Sequence, residues 1–396
     1  MKRSQNKRLK KGSKRRIKKN VRNAFLLILL GVLATYAGFF LQRKENFVNV
    51  PVSVAYSTVD TKEVYTASMV MVGDALIHGA VYNTYRTGNT YDFKNIFKYT
   101  KDIFKSYDLA YYNQETILGG KSLGLSTYPQ FNSPQEVGDA FMDAGFDLVS
   151  LATNHTLDRM YDCGMKTITN SREYWNKQEG VIAAGSYTSK EEREKLQIQE
   201  VNGIKYTLLS YTMQTNGLPV PNGKSYVVDV YNKEKVKQDV ERYKDKVDVI
   251  MVAMHWGNEY QHYPSTNQKS VAKYLASLGV NIIIGAHPHV VQPIDFIDDT
   301  LVIYSLGNFV SAQIGTEKLT GLLASIVIKK EVYHGKTTIT IEDVVGDLIY
   351  TNKTNKYVVY PYSKLSNNIL YNYRSYYDKY GKIVTAYSDK VTMKGI

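Results

Sequence analysis

The sequence is poor in cysteine, with Cys163 as the only one among 396 residues. No disulfide can form within the chain, so its folded part must be held together by a hydrophobic core. The roughly 330 residues that follow the N-terminal segments are enough to build one. A site made of several thiolates, such as a structural zinc site, is excluded as well.

Acidic residues are absent from the start of the chain, because residues 2–22 contain 12 Lys and Arg and no Asp or Glu. The rest of the chain holds 38 Lys and Arg against 37 Asp and Glu, a net charge of +1 out of the total of +13. The high isoelectric point is therefore a property of this tail. Since the tail adjoins an apolar segment, membrane topology and contact with anionic lipid explain it better than nucleic-acid binding, and we expect no nucleic-acid partner.

Charged residues are also missing from residues 24–41, an 18-residue segment that is mostly apolar. At about 1.5 Å per residue, such a segment just crosses the apolar core of a bilayer. A cleavable signal peptide is the alternative, but no small-residue cleavage pattern precedes Gln42. We predict a single uncleaved transmembrane helix, with residues 1–23 as a basic cytoplasmic tail and the main domain outside the cell. A disulfide-free domain in that place suits a bacterial cell envelope.

Residues 42–65 show no periodicity and are predicted to form a stalk. From Thr66 onwards, strand-like and helix-like segments alternate, which predicts an α/β core with buried central strands. The predicted strands are 66–73, 108–113, 147–151, 181–184, 203–211, 247–254, 281–285 and 301–306. The predicted helices are 93–106, 134–144, 164–177, 232–245 and 267–278.

After Gly307 the pattern changes to strands without intervening helices. Two such strands, 321–330 and 336–344, are predicted to complete a second sheet, and a surface helix is expected near residues 363–379. We therefore assign the main domain to residues 66–330 and a C-terminal part with strands and a surface helix to residues 331–396.

Side chains that bind metals follow five of the apolar runs, each at the point where the predicted strand ends. In a layered α/β fold the carboxyl ends of the strands meet at one edge, where ligand and catalytic groups collect. The six candidate metal ligands are Asp74, Glu115, Asn154, His255, His287 and His289. This ordered set is the pattern of a two-metal phosphoesterase site.

Two divalent ions lying about 3.5–4 Å apart need about three protein ligands each and one carboxylate that bridges them. Glu115 is the natural bridge, and the mixture of carboxylate, amide and imidazole ligands suits Mn, Fe or Zn. One or two such ions are the expected cofactor. His155, next to Asn154, is then placed to protonate a leaving oxygen while a metal-held hydroxide attacks phosphorus. Asp158 is expected to hold His155 in orientation, with a helix cap as the alternative.

Several longer motifs carry a family resemblance. The segments HWG (255–257), GAHPH (285–289) and SLGNF (305–309) resemble the CapA/PgsA family of bacterial capsule and poly-γ-glutamate biosynthesis proteins. The phrases VGD (72–74) and ATNHTLD (152–158) occur in the family's order, and the resemblance covers about residues 66–312.

The resemblance implies a calcineurin-like metallophosphoesterase fold, with two sheets flanked by helices in four layers. It also implies that anchored members act beside membrane-embedded subunits that synthesise or export a polymer. The expected partners are therefore membrane lipid, such subunits, and an anionic polymer or phosphoester substrate.

The chain departs from the resemblance at the first motif, where calcineurin-like enzymes usually carry Asp-x-His. Here Asp74 is followed by Ala75 and Leu76, and the nearest histidine is His78. His78 would be a ligand only if its loop turned back. Asn113 lies two residues from Glu115, on the same strand face, and would substitute for the missing histidine. If this first metal site is weakened, the protein would hold a single ion, would catalyse slowly, or would bind its ligand without catalysis.

Each candidate also has a structural alternative. Asp74 would start a turn, Glu115 would pair with a surface lysine, and His255 would be a core histidine. The pair His287 and His289, which flanks a proline, is hardest to explain by packing alone. Four further residues are candidates for the pocket or for the structure around it: Trp256, Glu259, Tyr260 and Asn308.

Two classes of function follow. In the first, the protein is an extracytoplasmic metal-dependent phosphohydrolase or phosphodiesterase. In the second, the site only binds metal, and the protein is an accessory scaffold of a complex that makes or exports an anionic polymer.

Overall fold

A computed structural model describes residues 20–33, 35 and 61–396. Helix α1 covers residues 20–33, and Asp60–Ile396 form one compact unit. Within the described ranges, no helix combines the length and apolarity needed to cross a membrane. The predicted span over residues 24–41 lies partly outside the described residues, as do most of the tail and most of the predicted stalk.

The strands and helices of the compact unit alternate along most of the chain. The strands are β1 (Glu63–Ala75), β2 (Arg86–Thr87), β3 (Thr90–Tyr91), β4 (Leu109–Asn113), β5 (Leu148–Ser150), β6 (Ile182–Ala184), β7 (Gln199–Val201), β8 (Ile204–Thr212), β9 (Val249–His255), β10 (Ile282–Ala286), β11 (Ile294–Ile297), β12 (Thr300–Ile303), β13 (Asn308–Val310), β14 (Thr320–Tyr333), β15 (Lys336–Asn352), β16 (Val358–Pro361) and β17 (Thr392–Met393). The α-helices are α2 (Gly79–Thr84), α3 (Lys101–Phe104), α4 (Glu136–Ala144), α5 (Met160–Cys163), α6 (Lys166–Trp175), α7 (Lys190–Glu194), α8 (Lys233–Tyr243), α9 (Thr266–Ser277), α10 (Thr316–Leu319) and α11 (Tyr373–Val384).

Two mixed sheets organise these elements. The first has the order β16-β15-β14-β1-β4-β5-β6, with β13 beside the end of β1 and β17 beside β15. The second has the order β11-β12-β10-β9-β8-β7. The central strands run parallel in each sheet, namely β1, β4, β5 and β6 in the first and β8, β9, β10 and β12 in the second. The α/β class predicted from the alternating pattern is confirmed.

The sheets pack face to face with helices on their outer faces. Met69 of β1 and Met251 of β9 belong to one core cluster shared by the two sheets. Their neighbours Val70 and Val252 belong to separate clusters, formed with α4 on one side and with α8 and α9 on the other. Because successive side chains of a strand face opposite sides, both faces of the central strands are buried. The result is the helix–sheet–sheet–helix order that the family resemblance implied.

Gly73 allows the close approach that shapes the end of β1. A Cβ atom on Gly73 would lie 1.8 Å from the carbonyl oxygen of Gly307. Without that atom, the Asp74 amide donates to the same carbonyl oxygen at 2.9 Å. Asp74 then pairs in parallel register with Asn308 of β13 and with Asn113 of β4. The glycine thus brings three polar side chains together at the carboxyl edge of the first sheet.

Several predicted elements differ from the structure. Strands β14 and β15 extend the first sheet instead of completing a second one, because β14 pairs antiparallel along β1 over nine residue pairs. The C-terminal helix begins only at Tyr373 and is not purely a surface helix, since Tyr377 and Tyr380 pack into the core shared by the sheets. Strand β1 begins at Glu63, inside the segment predicted as a stalk.

The predicted helix over residues 93–106 is broken into a 3-10 turn, Lys94–Phe97, and the short helix α3. Phe97 and Phe104 both pack against Phe309, with ring centroids 5.4 and 5.8 Å away. This aromatic packing under the first sheet accompanies the break, and it is not encoded in helical periodicity.

Candidate metal centre

The six predicted ligands follow strands whose carboxyl ends lie at the same edge. Asp74 ends β1, Glu115 lies two residues beyond β4, and Asn154 lies four residues beyond β5. His255 ends β9, in register with Ala286, after which His287 and His289 follow β10. All six side chains are buried. The structure therefore brings together the residues that the strand-end pattern singled out.

Asp74 is the carboxylate with the most contacts. Its Oδ1 accepts a hydrogen bond from the Asn113 amide at 2.8 Å. Its Oδ2 lies 3.1 Å from His289 Nδ1 and accepts from the His287 backbone amide at 3.3 Å. Asn308 Oδ1 lies 3.0 Å from the same ring nitrogen of His289. These contacts hold the His-Pro-His segment of the second sheet against the end of the first.

The backbone of that segment lies in a conformation that side chains rarely adopt. His287 has φ +96° and His289 has φ +58°, both in the left-handed region. Such a backbone costs on the order of 1–3 kcal/mol per residue and concentrates at functional sites. The Tyr260 amide donates to the Pro288 carbonyl at 2.8 Å and helps to hold the turn. The cost is explained if both imidazoles must face the same centre.

The potential ligands that are fully buried form two overlapping groups. Glu115, His255 and His287 make one, and Asp74, Glu115 and His289 make the other, with the ligand atoms of each group within 4.8 Å of one another. Glu115 Oε1 lies 3.8 Å from His255 Nε2 and 3.6 Å from His289 Nε2. The carboxylate expected to bridge two ions is therefore the residue that the two groups share.

Several atoms of this cluster have no hydrogen-bond partner in the described part of the chain. They are both carboxylate oxygens of Glu115, Asn113 Oδ1 and His287 Nδ1. Buried polar atoms without partners are rare in proteins and costly. A divalent cation is a suitable partner for such oxygen and imidazole atoms, so the donor set fits a metal centre.

The charges of the cluster are strongly coupled. Burial, followed by the nearby Asp74 carboxylate, raises the pKa of Glu115 well above its ordinary range. Burial opposes a charge on His289, but Glu115 and then Asp74 outweigh it and raise the pKa of this imidazole to about 9. Burial lowers the pKa of His287 to about 4, with a further contribution from His289. Burial also lowers the pKa of His255 well below its usual value.

His155 lies beside this cluster but faces a cavity of about 270 Å³. Its Nδ1 lies 2.7 Å from Asp158 Oδ2, which also accepts from the Phe131 amide at 2.6 Å. The ring edge packs against Phe131, with centroids 4.8 Å apart. Burial raises the pKa of Asp158, and the hydrogen bond from His155 opposes the rise. The position expected for a proton donor is thus occupied by a His–Asp pair.

The remaining candidates have different surroundings. His78 is outside both groups described above: its Nδ1 lies 3.0 Å from the Leu76 carbonyl and accepts from the Ala312 amide at 3.3 Å. Trp256 is buried, and its indole donates to the Tyr304 carbonyl at 2.9 Å, which is a structural contact. Glu259 is exposed, and its carboxylate lies within 4.8 Å of ligand atoms of His287 and His289.

Sequence reasoning missed Asn216. Its Oδ1 accepts from the Asn154 amide at 3.2 Å, and its own amide lies 3.5 Å from His155 Nδ1. The signal was available, because the turn-forming pair Asn216-Gly217 follows the parallel strand β8 at the same sheet edge. Gln130, in the long loop after β4, was also missed, and its Oε1 accepts from the Arg159 amide at 3.1 Å.

The chain is similar to proteins of capsule synthesis. Residues 68–313 match the family model described as "Bacterial capsule synthesis protein PGA_cap". The chain is 28% identical over 247 residues to "PGA biosynthesis protein CapA" of Bacillus subtilis (strain 168), which covers 60% of this chain and 62% of that protein. It is also 28% identical over 304 residues to "Capsule biosynthesis protein CapA" of Bacillus anthracis, and this match covers 75% of this chain and 70% of that protein. The match thus spans somewhat less than two thirds of the Bacillus subtilis relative.

Among solved structures, the chain is similar to the calcineurin-like phosphoesterase YfkN from Bacillus subtilis. The two share 15% sequence identity with a TM-score of 0.46, over 80% of this chain and 99% of that one.

Removal of a ligand should remove metal. We expect the full-length protein, purified in detergent, stripped with chelator and reloaded with Mn²⁺ or Zn²⁺, to bind one or two ions. His287→Ala and His289→Ala should each lose at least one ion, because each removes an imidazole from one of the two groups. Elemental analysis measures this, and His334→Ala, at the turn between β14 and β15, is the matched control. Equally little metal in the wild type and both variants would mean that the cluster is structural.

Proposed function

This chain belongs to the bacterial capsule synthesis protein PGA_cap family, and from that premise we propose that it is a membrane-anchored, extracytoplasmic protein of capsule-polymer biosynthesis or export. We further propose that its metal centre hydrolyses a phosphoester. The relatives named above are described as proteins of PGA and capsule biosynthesis, which supports the first part. The second part rests on the chemistry of the site.

One observation carries the hydrolase proposal. A single buried carboxylate, Glu115, belongs to both groups of potential ligand atoms, and neither of its oxygens has a hydrogen-bond partner in the described chain. A bridging carboxylate between two mixed sets of ligands is what a two-ion phosphoesterase needs. The proposed cofactor is one or two divalent transition ions, Mn, Fe or Zn, because the ligands combine oxygen and imidazole without thiolate.

The residues around the cluster would divide the work. Asp74, Glu115, His255, His287 and His289 would hold the cofactor, with Asn154 kept in place by its contact with His255 Nε2 at 2.9 Å. Bound divalent ions supply charge stabilisation at a phosphoryl group and activation of water. Everything else in the reaction depends on where the protein holds protons and the substrate.

His155 is the proposed general acid. Its Nδ1 is engaged by Asp158, so Nε2 is the nitrogen that would carry a proton to a leaving oxygen in the adjoining cavity. The Asp158 carboxylate keeps the ring from turning. The Phe131 backbone amide holds the Asp158 carboxylate in position.

A non-catalytic scaffold is the second candidate, and one contact favours it. The Asn113 amide donates to Asp74 Oδ1 at 2.8 Å, and the His78 ring nitrogen is engaged with backbone groups. The group of Asp74, Glu115 and His289 therefore has no histidine from the Asp-x-His motif, which weakens one of the two metal sites. A protein that keeps only the stronger site would bind metal and act as an accessory subunit beside a polymer synthase or exporter.

The anchor is proposed from residues 24–41, which are uncharged and mostly apolar and follow a strongly basic tail. With the tail in the cytoplasm, the main domain would lie in the cell envelope. Its partners there would be membrane lipid, membrane subunits of the polymer machinery, and a phosphoester or anionic polymer.

Loss of His155 should separate catalysis from metal binding. We expect His155→Ala to keep its metal and its fold but to lose about 10² to 10⁴-fold in turnover of a phosphodiester. The loss should be larger for a poor leaving group, because an activated one needs little protonation. Asp158→Asn should act in the same direction but more weakly, through the orientation of His155. Steady-state kinetics on two phosphodiesters of different leaving-group pKa, with metal content measured in parallel, test this.

The scaffold candidate gives a different result. In that case no phosphoester would be cleaved with any metal, and cells with His155→Ala would still make polymer. Deletion of residues 1–45 would abolish polymer production by releasing the domain from the membrane. That combination would replace the hydrolase proposal.

The topology gives a separate prediction. Protease added to intact, wall-stripped cells should remove the large domain and leave a short basic stub in the membrane, because the charge asymmetry places only residues 1–23 inside. Immunoblotting with antibodies to the tail and to the domain measures this. Protection of the large domain would reverse the orientation, and a mature N-terminus near residue 40 would show a cleaved signal peptide.

A further inference from the structure

The lining of the cavity beside His155 indicates what kind of leaving group the site accepts. This inference rests on the proposed phosphoester chemistry. The cavity has a volume of about 270 Å³ and lies next to Asn154, whose side chain contacts the cluster through His255. Its walls come from the loops after β4, β5, β8 and β9. A phosphoryl group placed at the cluster would therefore direct its leaving group into this cavity.

Apart from His155, the polar groups of the cavity suit hydrogen bonding and not charge neutralisation. Among the nine described residues that line it, none is Lys or Arg. Arg159, which follows Asp158 in the chain, pairs with Asp162 at 2.6 Å and donates to the Gly124 carbonyl at 3.0 Å. Amide groups are supplied by Gln130, Asn154 and Asn216.

Asn216 is held in position for this purpose. It lies in the left-handed backbone region, with φ +52°, inside a turn closed by hydrogen bonds between Thr215 and Leu218 of 2.9 and 2.6 Å. Its Oδ1 accepts from Asn154 at 3.2 Å, so its amide nitrogen is the end nearer His155 and the cavity. A fixed amide of this kind recognises a hydroxyl or carbonyl group.

Glu259 adds a negative charge at the mouth of the same cavity. It is exposed, lines the cavity, and also approaches His287 and His289. A carboxylate there accepts hydrogen bonds from hydroxyl groups and repels a second carboxylate. The cavity therefore discriminates between leaving groups by charge.

We propose that this cavity binds a neutral, hydroxyl-rich leaving group, such as a sugar or polyol esterified to the phosphate, and rejects a leaving group that carries a carboxylate. A polycarboxylate polymer is then excluded from the cavity and meets the protein elsewhere.

Two phosphoesters with the same three-carbon skeleton test the proposal: glycerol 3-phosphate, with a neutral diol, and 3-phosphoglycerate, with a carboxylate. Their dissociation constants are measured by calorimetry on the full-length, Mn²⁺-loaded protein in detergent, with inorganic phosphate as the reference for binding at the cluster alone. We expect glycerol 3-phosphate to bind about tenfold more tightly than 3-phosphoglycerate, because Glu259 repels the second ligand.

Two variants assign the preference to residues. Glu259→Gln should bring the two dissociation constants closer together by improving the binding of 3-phosphoglycerate, without loss of metal. Glu234→Gln, on the exposed surface of α8, should leave the ratio of the two dissociation constants unchanged. Asn216→Ala should weaken the binding of glycerol 3-phosphate by about threefold to tenfold, the value of one hydrogen bond, and should weaken it more than the binding of inorganic phosphate.

The proposal would be overturned by equal affinity for the two phosphoesters or by a preference for 3-phosphoglycerate. It would also be overturned if neither phosphoester bound more tightly than inorganic phosphate. Loss of metal in Glu259→Gln would also overturn it, since Glu259 would then act as a ligand. Hydrolysis is scored separately in the same samples. Selective binding without cleavage would contradict the hydrolase function but support the cavity assignment. Cleavage without selective binding would support the hydrolase function but contradict the cavity assignment.

Discussion

Two carboxyl groups and three imidazoles are buried together where the two sheets meet, and within the described chain they do not satisfy one another. Asp74 is shared among hydrogen bonds from both sheets, but Glu115 has no partner for either oxygen. Burying a charge without a partner costs several kcal/mol or more. The rest of the fold is arranged so that these groups meet, which is reasonable only if a cation joins them.

The sheet topology explains how the groups are brought together. Parallel pairing of β1 with β4 and β13 puts Asp74 in register with Asn113 and Asn308, and β9 and β10 end side by side. Gly73 removes the Cβ that would otherwise collide with the Gly307 carbonyl at this junction. The left-handed backbone at His287 and His289 then turns both imidazoles back from the second sheet toward the first. The strained backbone at His287 and His289 and the lack of a side chain at Gly73 thus both help to bring the ligands of the candidate metal centre together.

Much of this arrangement could be predicted from the sequence, because the carboxyl ends of buried parallel strands share one edge. That rule locates Asp74, His255 and the His-Pro-His segment without knowing which strands are neighbours. It also points to the turn Asn216-Gly217 after β8, but the contacts of the Asn216 side chain depend on the conformation of that loop. It could not predict that β14 covers the open edge of β1, since a strand's periodicity does not name its antiparallel partner.

Proton release on metal binding tests the central claim, that the buried cluster is a metal centre, most directly. The Glu115 and Asp74 carboxylates raise the pKa of His289 to about 9 against the effect of burial, so the metal-free cluster retains a proton at pH 7. A metal requires neutral imidazole and ionised carboxylate, so binding must release that proton. Calorimetric titration with Mn²⁺ in two buffers of different ionisation enthalpy should show release of about one proton at pH 7, falling as the pH passes about 9. Binding without proton release at pH 7 would contradict the account.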